Sequence, residues 1–192
     1  MGVPVIDTGP MTVDDFYAFT DTRPDEEKWE LIDGKPILNA SPAILHQQIL
    51  ANILYVLARE QRERQLSWTA IPGIGALISD ISRPEPDVMV LPKRLSSGDR
   101  LQRHTGDAIV LFEIMSPSTS GRDLKWKRAA YAAMPALTHY VVVAQDSVEV
   151  AVFARRVGFD EQRLRSLGDV LELDSLGVSL PLDEIYRDTG LQ

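Results

Sequence analysis

Asp87 and Glu113 are the two residues of this chain whose surroundings least suit their charge. Asp87 ends the stretch "SRPEPD", residues 82–87, and stands at the mouth of the apolar run "VMVL". Pro84 and Pro86 hold that stretch extended and donate no hydrogen bond, so they mark the entry to a strand and not its interior. Glu113 interrupts "AIVLFEIM", residues 108–115, which is otherwise apolar. An ionised carboxylate buried in such a strand is costly unless a cation compensates. Two carboxylates at the ends of neighbouring strands could hold a divalent ion through oxygen, as magnesium is held by one or two carboxylates with waters and substrate phosphates. The competing explanation is structural, each acid being salt-bridged by an arginine at a sheet edge.

The segment after Glu113 adds a cation. Asp123, Lys127 and Tyr131 are spaced four apart in a helical stretch, and that spacing lines one helix face. An ammonium beside a metal-bound carboxylate could orient an attacking water or neutralise charge on a pentavalent phosphoryl transition state. The plainer alternative is an exposed Asp123–Lys127 pair worth about 0.3–0.5 kcal/mol. Lys125 lies about 200° around the helix from Lys127 and reads as solvated.

These groups need a sheet and helices to bring them together. "MTVDDFYAFTDT" reads as a short amphipathic helix with Thr12 as N-cap and Asp14 and Asp15 at its positive end. "KWELIDGKPILNAS" contains a hairpin turning at Asp33-Gly34. Ser41-Pro42 is expected to open the next helix as N-cap and first-turn proline. Leu45, Ile49, Leu50, Ile53, Leu54 and Leu57 form its apolar stripe. "SWTAIPGIGALIS" reads as two short strands or one bent strand, broken at Pro72-Gly73. "DVMVLP" and "DAIVLFEIM" follow as strands, the second covered on both faces. Alternation puts Ile109, Leu111, Glu113 and Met115 on one side of it. A helix over about 120–134 stops before Pro135. "THYVVVAQD" and "VEVAVFARR" pair around residues 144–147, and the tail finishes with another strand and a short helix. The expected class is α/β or α+β, with a mixed central sheet flanked by helices.

In order and spacing, "WELIDG", "SPAILH", "PDVMVL", "FEIMSPST" and "DLKWKRAAY" resemble the Uma-type restriction-endonuclease family, a family of unknown function within the PD-(D/E)XK nuclease superfamily. The resemblance runs from about residue 11 to 188, and one restriction-endonuclease-like domain is expected over 1–192. It implies a metal-dependent phosphodiesterase site using Mg2+ or Mn2+, with nucleic acid, chiefly DNA, as partner. Asp87 and Glu113 would be the metal ligands, with the Ile114 carbonyl a further one. The superfamily lysine stands two residues after the second acid, where this chain has Met115. Family members recruit the lysine from the following helix, and Lys127 is its counterpart. Glu30 matches the family's early acid and could join the metal shell through water; otherwise it belongs to a cross-strand charge pair of the hairpin. His46 matches the family's histidine, although its place beside the apolar stripe also suits a satisfied core residue. His104 and His139 receive no role.

Composition narrows the classes. The 192 residues include no cysteine, which excludes disulfides, thiolate metal sites and a thiol nucleophile. No apolar run approaches the roughly 20 residues of a membrane span, and "MGVPVIDTGPMTVDDF" lacks the pattern of a secretory signal; a cytoplasmic protein is expected. "PGIGAL" lacks the Lys-Ser or Lys-Thr of a phosphate loop, and there is no G-x-S-x-G elbow. The net charge of −8 opposes general binding to polyanions, so nucleic acid would bind only locally and with a metal's help; the basic clusters at 92–104 and 121–128, each taken alone, read more readily as solvated loop and helix surface than as a binding site. Two rivals follow from that charge and from Met115. One is a catalytically inactive nuclease-fold binding or assembly module, and the other a different metal-dependent hydrolase acting on a small phosphorylated compound. An exposed strand or the apolar tail could support a homodimer.

Overall fold

The computed structural model describes residues 9–93, 102–115 and 121–192, with backbone alone at 121–123. Its centre is a six-stranded sheet in the order β10-β9-β8-β7-β5-β3. The strands are β3 (Trp68–Pro72), β5 (Val88–Pro92), β7 (Val110–Met115), β8 (His139–Ala144), β9 (Val150–Ala154) and β10 (Glu161–Leu164). Every pairing in it is antiparallel except β7 with β8. A parallel pair cannot close through a tight turn and needs a crossover, which packs on one face of the sheet. Here the crossover carries α3 (Gly121–Ala132), so the topology itself brings a helix next to β7.

The two faces of β7 differ. Val110, Phe112 and Ile114 join the larger core, completed by α2 (Ile44–Glu63) and the C-terminal hairpin β11 (Val170–Leu173) and β12 (Val178–Pro181). Ile49, Ile53 and Leu57 of α2 are wholly buried there, each contributing about 1.5–3 kcal/mol of apolar transfer. Leu111 joins the smaller core with Met89, Tyr131 and Tyr140, and Met115 packs at its margin. Glu113 lies between them on this second face. Ile109 precedes the strand and packs against the larger core instead, outside the alternation, and its carbonyl accepts from the N–H groups of Thr138 and His139.

The front of the molecule holds α1 (Val13–Thr20) and the hairpin β1 (Lys28–Ile32) and β2 (Lys35–Asn39). Thr12 caps α1 through a reciprocal capping box with Asp15. Asp33 and Gly34 both have positive φ, 47° and 73°, the tight turn that matches strand twist in two-residue hairpins. A Cβ on Gly34 would run into Pro10 and the Met11 backbone, so glycine is required there twice over. β4 (Gly75–Ala76) pairs with β6 (His104–Thr105) as a small parallel ladder.

Two further expectations are corrected. The N-cap of α2 is Ala43, with no side-chain cap, and not Ser41; residues 40–43 lie outside any helix or strand and line the wall of a cleft. The tail contains two strands with a turn at Gly177 (φ 68°), not one. Their alternating burial shows a hairpin seated by one face on the larger core. Among the described residues, no helix is long and apolar enough to cross a membrane.

Candidate active site

The antiparallel register of β5 and β7 matches Val88 with Phe112. Asp87 stands at a bend one residue before this ladder, beside the end of β7 that carries Glu113 and Ile114. Two hydrogen bonds fix the Asp87 carboxylate. Its Oδ2 accepts from the Ile114 N–H at 2.6 Å, and its Oδ1 lies 3.0 Å from His46 Nε2. His46 comes from the first turn of α2, so it spans the gap between the helix and the strand mouth. In extended chain the N–H and C=O of a residue leave the same edge of the strand. The Ile114 carbonyl is therefore turned toward the Asp87 side, as its N–H is.

Lys127 rises from α3 beneath Glu113. Its ammonium is 3.0 Å from Glu113 Oε1 and 3.0 Å from Glu30 Oε1, and all three residues are buried. Lys127 is therefore no exposed helix pair. The Tyr131 hydroxyl, one turn further along the same helix face, donates to Glu113 Oε1 at 2.9 Å. Glu30 Oε1 also accepts from the Glu85 N–H at 2.7 Å. Glu30 faces Ile37 across the hairpin, so it is held by Lys127 and a main-chain amide and not by a cross-strand charge. Lys125 is exposed, as expected. The side chain of Asp123 and residues Ser116, Pro117, Ser118 and Thr119 lie outside the described residues.

Burial pushes the Glu113 carboxyl up to about 8; the nearby Lys127 pulls it down, and Glu30 and Asp87 push it up again. Desolvation outweighs the ammonium here. Tyr131 is held well above the ordinary phenol value, by burial first and then by Glu113, so it stays a neutral donor.

The five side chains named from the sequence therefore meet: Asp87, Glu113, Lys127, Glu30 and His46 all line one cleft of about 640 Å³. Gln145 lines it as well, a residue the sequence did not single out although it follows directly on the buried strand parallel to β7. Tyr131 is not part of the lining but holds Glu113 from behind. Among the described residues, no group of three or more His, Asp or Glu side chains is placed to hold a metal. The donor set is two carboxylates and a main-chain carbonyl. Both hydrogen bonds described for Glu113 fall on Oε1; among the described residues none is made to Oε2. Carboxylate oxygens and a main-chain carbonyl are the ligand types that a hard dication takes while it keeps several waters, so this donor set fits one.

The fold, a mixed central sheet flanked by helices with the crossover helix beside β7, is of the restriction-endonuclease-like class. A crystal structure of "a putative nuclease belonging to DUF820" from Anabaena variabilis ATCC 29413 matches with a TM-score of 0.76, over 92% of this chain and 98% of that one. At 16% identity that likeness establishes the fold. The model of the Uma2 family, described as "Putative restriction endonuclease", matches residues 13–183, and the chain belongs to this family. A 79-residue stretch is 37% identical to the uncharacterized protein slr1290 of Synechocystis sp. (strain ATCC 27184 / PCC 6803 / Kazusa), covering 41% of this chain and 42% of that protein.

Proposed function

We propose that the protein is a divalent-metal-dependent nuclease that hydrolyses phosphodiester bonds of nucleic acid, with DNA as its substrate. The observation that carries this reading is the buried Lys127 ammonium 3.0 Å from Glu113, supplied by the crossover helix in a chain with Met115 at the usual lysine position. Asp87, Glu113 and the Ile114 carbonyl would hold Mg2+ or Mn2+. Such an ion polarises phosphoryl oxygens and lowers the pKa of a bound water.

The protein's own groups have separate tasks. His46 and the Ile114 N–H fix both oxygens of Asp87, so the carboxylate does not have to be ordered when substrate arrives. Glu30 and Glu113 hold the Lys127 ammonium from two sides at the cleft wall. There it neutralises charge as it accumulates on the phosphoryl oxygens, or orients the attacking water. The donor from Tyr131 keeps Glu113 in the rotamer that faces Lys127. Preorganised charge in a partly dehydrated cleft acts without reorganisation cost during reaction.

Purified protein with Mg2+ or Mn2+ should cleave DNA, and chelation, Asp87→Ala or Glu113→Ala should abolish cleavage. Cleavage that persists in both variants refutes the reading. A second reading is an inactive nuclease-fold binding or assembly module. It draws support from Met115 and the net charge of −8. Calorimetry that detects no Mg2+ or Mn2+ binding, together with a stable dimer or protein partner, would favour it. A panel including RNA and small phosphate esters separates substrate classes.

A further inference from the structure

The ammonium of Lys127 is held in part by Glu30, and Glu30 is held in part by the backbone of residue 85. What holds residue 85 is a buried arginine. Arg83 is 5% exposed, and its guanidinium reaches three partners. One nitrogen donates to Glu85 Oε2 at 2.8 Å, a second to the Arg103 carbonyl at 2.8 Å, and Nε to the Tyr17 hydroxyl at 3.2 Å. Its plane also lies near the rings of Phe16 and Tyr17. The Arg83 backbone exchanges both hydrogen bonds with Leu31, the neighbour of Glu30. Gly75 lies directly against the guanidinium, where any Cβ would strike Nε and Cζ.

Arg83 does not line the cleft, so its effect on the site runs through Glu85. We propose that Arg83 is a positioning residue: by gripping Glu85 it sets the Glu85 N–H that holds Glu30, and with it the place of the Lys127 ammonium and the approach of the chain to Asp87. The role of the cation in cleavage rests on the nuclease reading above; the relay from Arg83 to Lys127 does not. The two prolines flanking Glu85 make the relay stiff. Pro84 and Pro86 have fixed φ and donate nothing. A small rotation at Arg83 is therefore passed along the segment and not absorbed in it. Pro84 is pinned as well, its carbonyl accepting from the Ala76 N–H at 2.8 Å.

A purely structural arginine would need only a buried positive charge and good packing, which separates it from a positioning one. Arg83→Lys keeps the charge but cannot serve three acceptors in a fork. Glu85→Gln keeps its N–H for Glu30 and loses the ion pair. Gly75→Ala displaces the guanidinium without touching its charge. If Arg83 positions Lys127, all three lower kcat by about 10–100-fold, the usual scale for an outer partner, with KM nearly unchanged in protein shown to be folded. Wild-type kcat per folded molecule, or a change in KM alone, overturns the proposal.

A second readout does not depend on catalysis. The side-chain 15N resonance of Lys127, assigned by its loss in Lys127→Arg, should shift in Arg83→Lys and Glu85→Gln. Should the wild-type protein cleave nothing, the nuclease reading falls, and this resonance alone decides the relay. A shift in both variants upholds it, and an unmoved resonance overturns it.

Discussion

The two faces of β7 do opposite work. On one, Val110, Phe112 and Ile114 are closed under α2 and the C-terminal hairpin in a continuous apolar core. On the other, Leu111 belongs to a second apolar cluster, but Glu113 next along that face meets Tyr131 and Lys127 and shares the Lys127 ammonium with Glu30. A single strand thus carries stability on one side and a charged network on the other, at alternate residues. The lesson is that a costly buried network is tolerated where its scaffold draws its free energy from elsewhere. Replacing a buried ion pair by apolar groups is often neutral or stabilising, so the pairs around Lys127 are poor candidates for holding the fold together.

The sharpest way to break this contrast uses two adjacent residues. Phe112→Ala should cost about 3–5 kcal/mol of unfolding free energy, read by chemical denaturation. Glu113→Gln should change that free energy by less than about 1.5 kcal/mol, since the amide resembles the protonated acid that burial favours, while the nuclease activity proposed above is lost. Equal destabilisation by the two would erase the distinction between the faces.

Lys127→Met comes next. It leaves Glu30 and Glu113 buried without their ammonium, and removing one member of a buried pair costs about 3–5 kcal/mol. Protonation of Glu113 reduces that penalty, so we expect a value near the lower end, and a smaller loss at pH 6 than at pH 9. The same melts run on Lys127→Met with Glu113→Gln should recover part of the difference. Removing His46 tests the half-exposed side of the site. His46→Ala frees Asp87 Oδ1 and should weaken Mn2+ binding by about 10–100-fold in calorimetry, with little change in stability.

The smallest effect concerns the apolar face itself. His139 is buried at the start of β8, beside Thr138 and Ser175. Burial lowers its pKa from the ordinary value of 6.5; Asp174 opposes that shift and Arg156 adds to it. The folded state therefore favours neutral imidazole. This contribution is fully present above about pH 6.5 and is lost as pH falls through the lower folded-state value. Unfolding free energy measured from pH 7.5 to pH 5 should decline less steeply in His139→Gln than in wild type. Equal slopes would show that this face has no titrating weak point at His139.

Local chemistry was readable before any coordinates. Asp33-Gly34 specified a hairpin turn, Thr12 and Asp15 a helix start, and the apolar run around Glu113 a central strand, because each depends on neighbours in the chain. The acids and the lysine were visible as types out of place in their surroundings. Ser41 misled because its segment serves the cleft wall, and α2 begins only where the chain leaves that wall. The second strand of the C-terminal hairpin was missed because its alternation is short and its support is the distant face of β7. Glu30 could not be assigned, since its partners come from residues 85 and 127.

By itself the sequence determined most of the elements, their order and which ionisable groups sat in apolar company. Tertiary structure alone decided that Lys127 stands between Glu30 and Glu113, that Asp87 leans on His46, and that Arg83 grips the segment joining them. Secondary structure is set by interactions a few residues long, whereas a charge network is set by distances of about 3 Å between groups far apart in the chain. Such distances exist only after the sheet has fixed its register and the crossover has chosen its face.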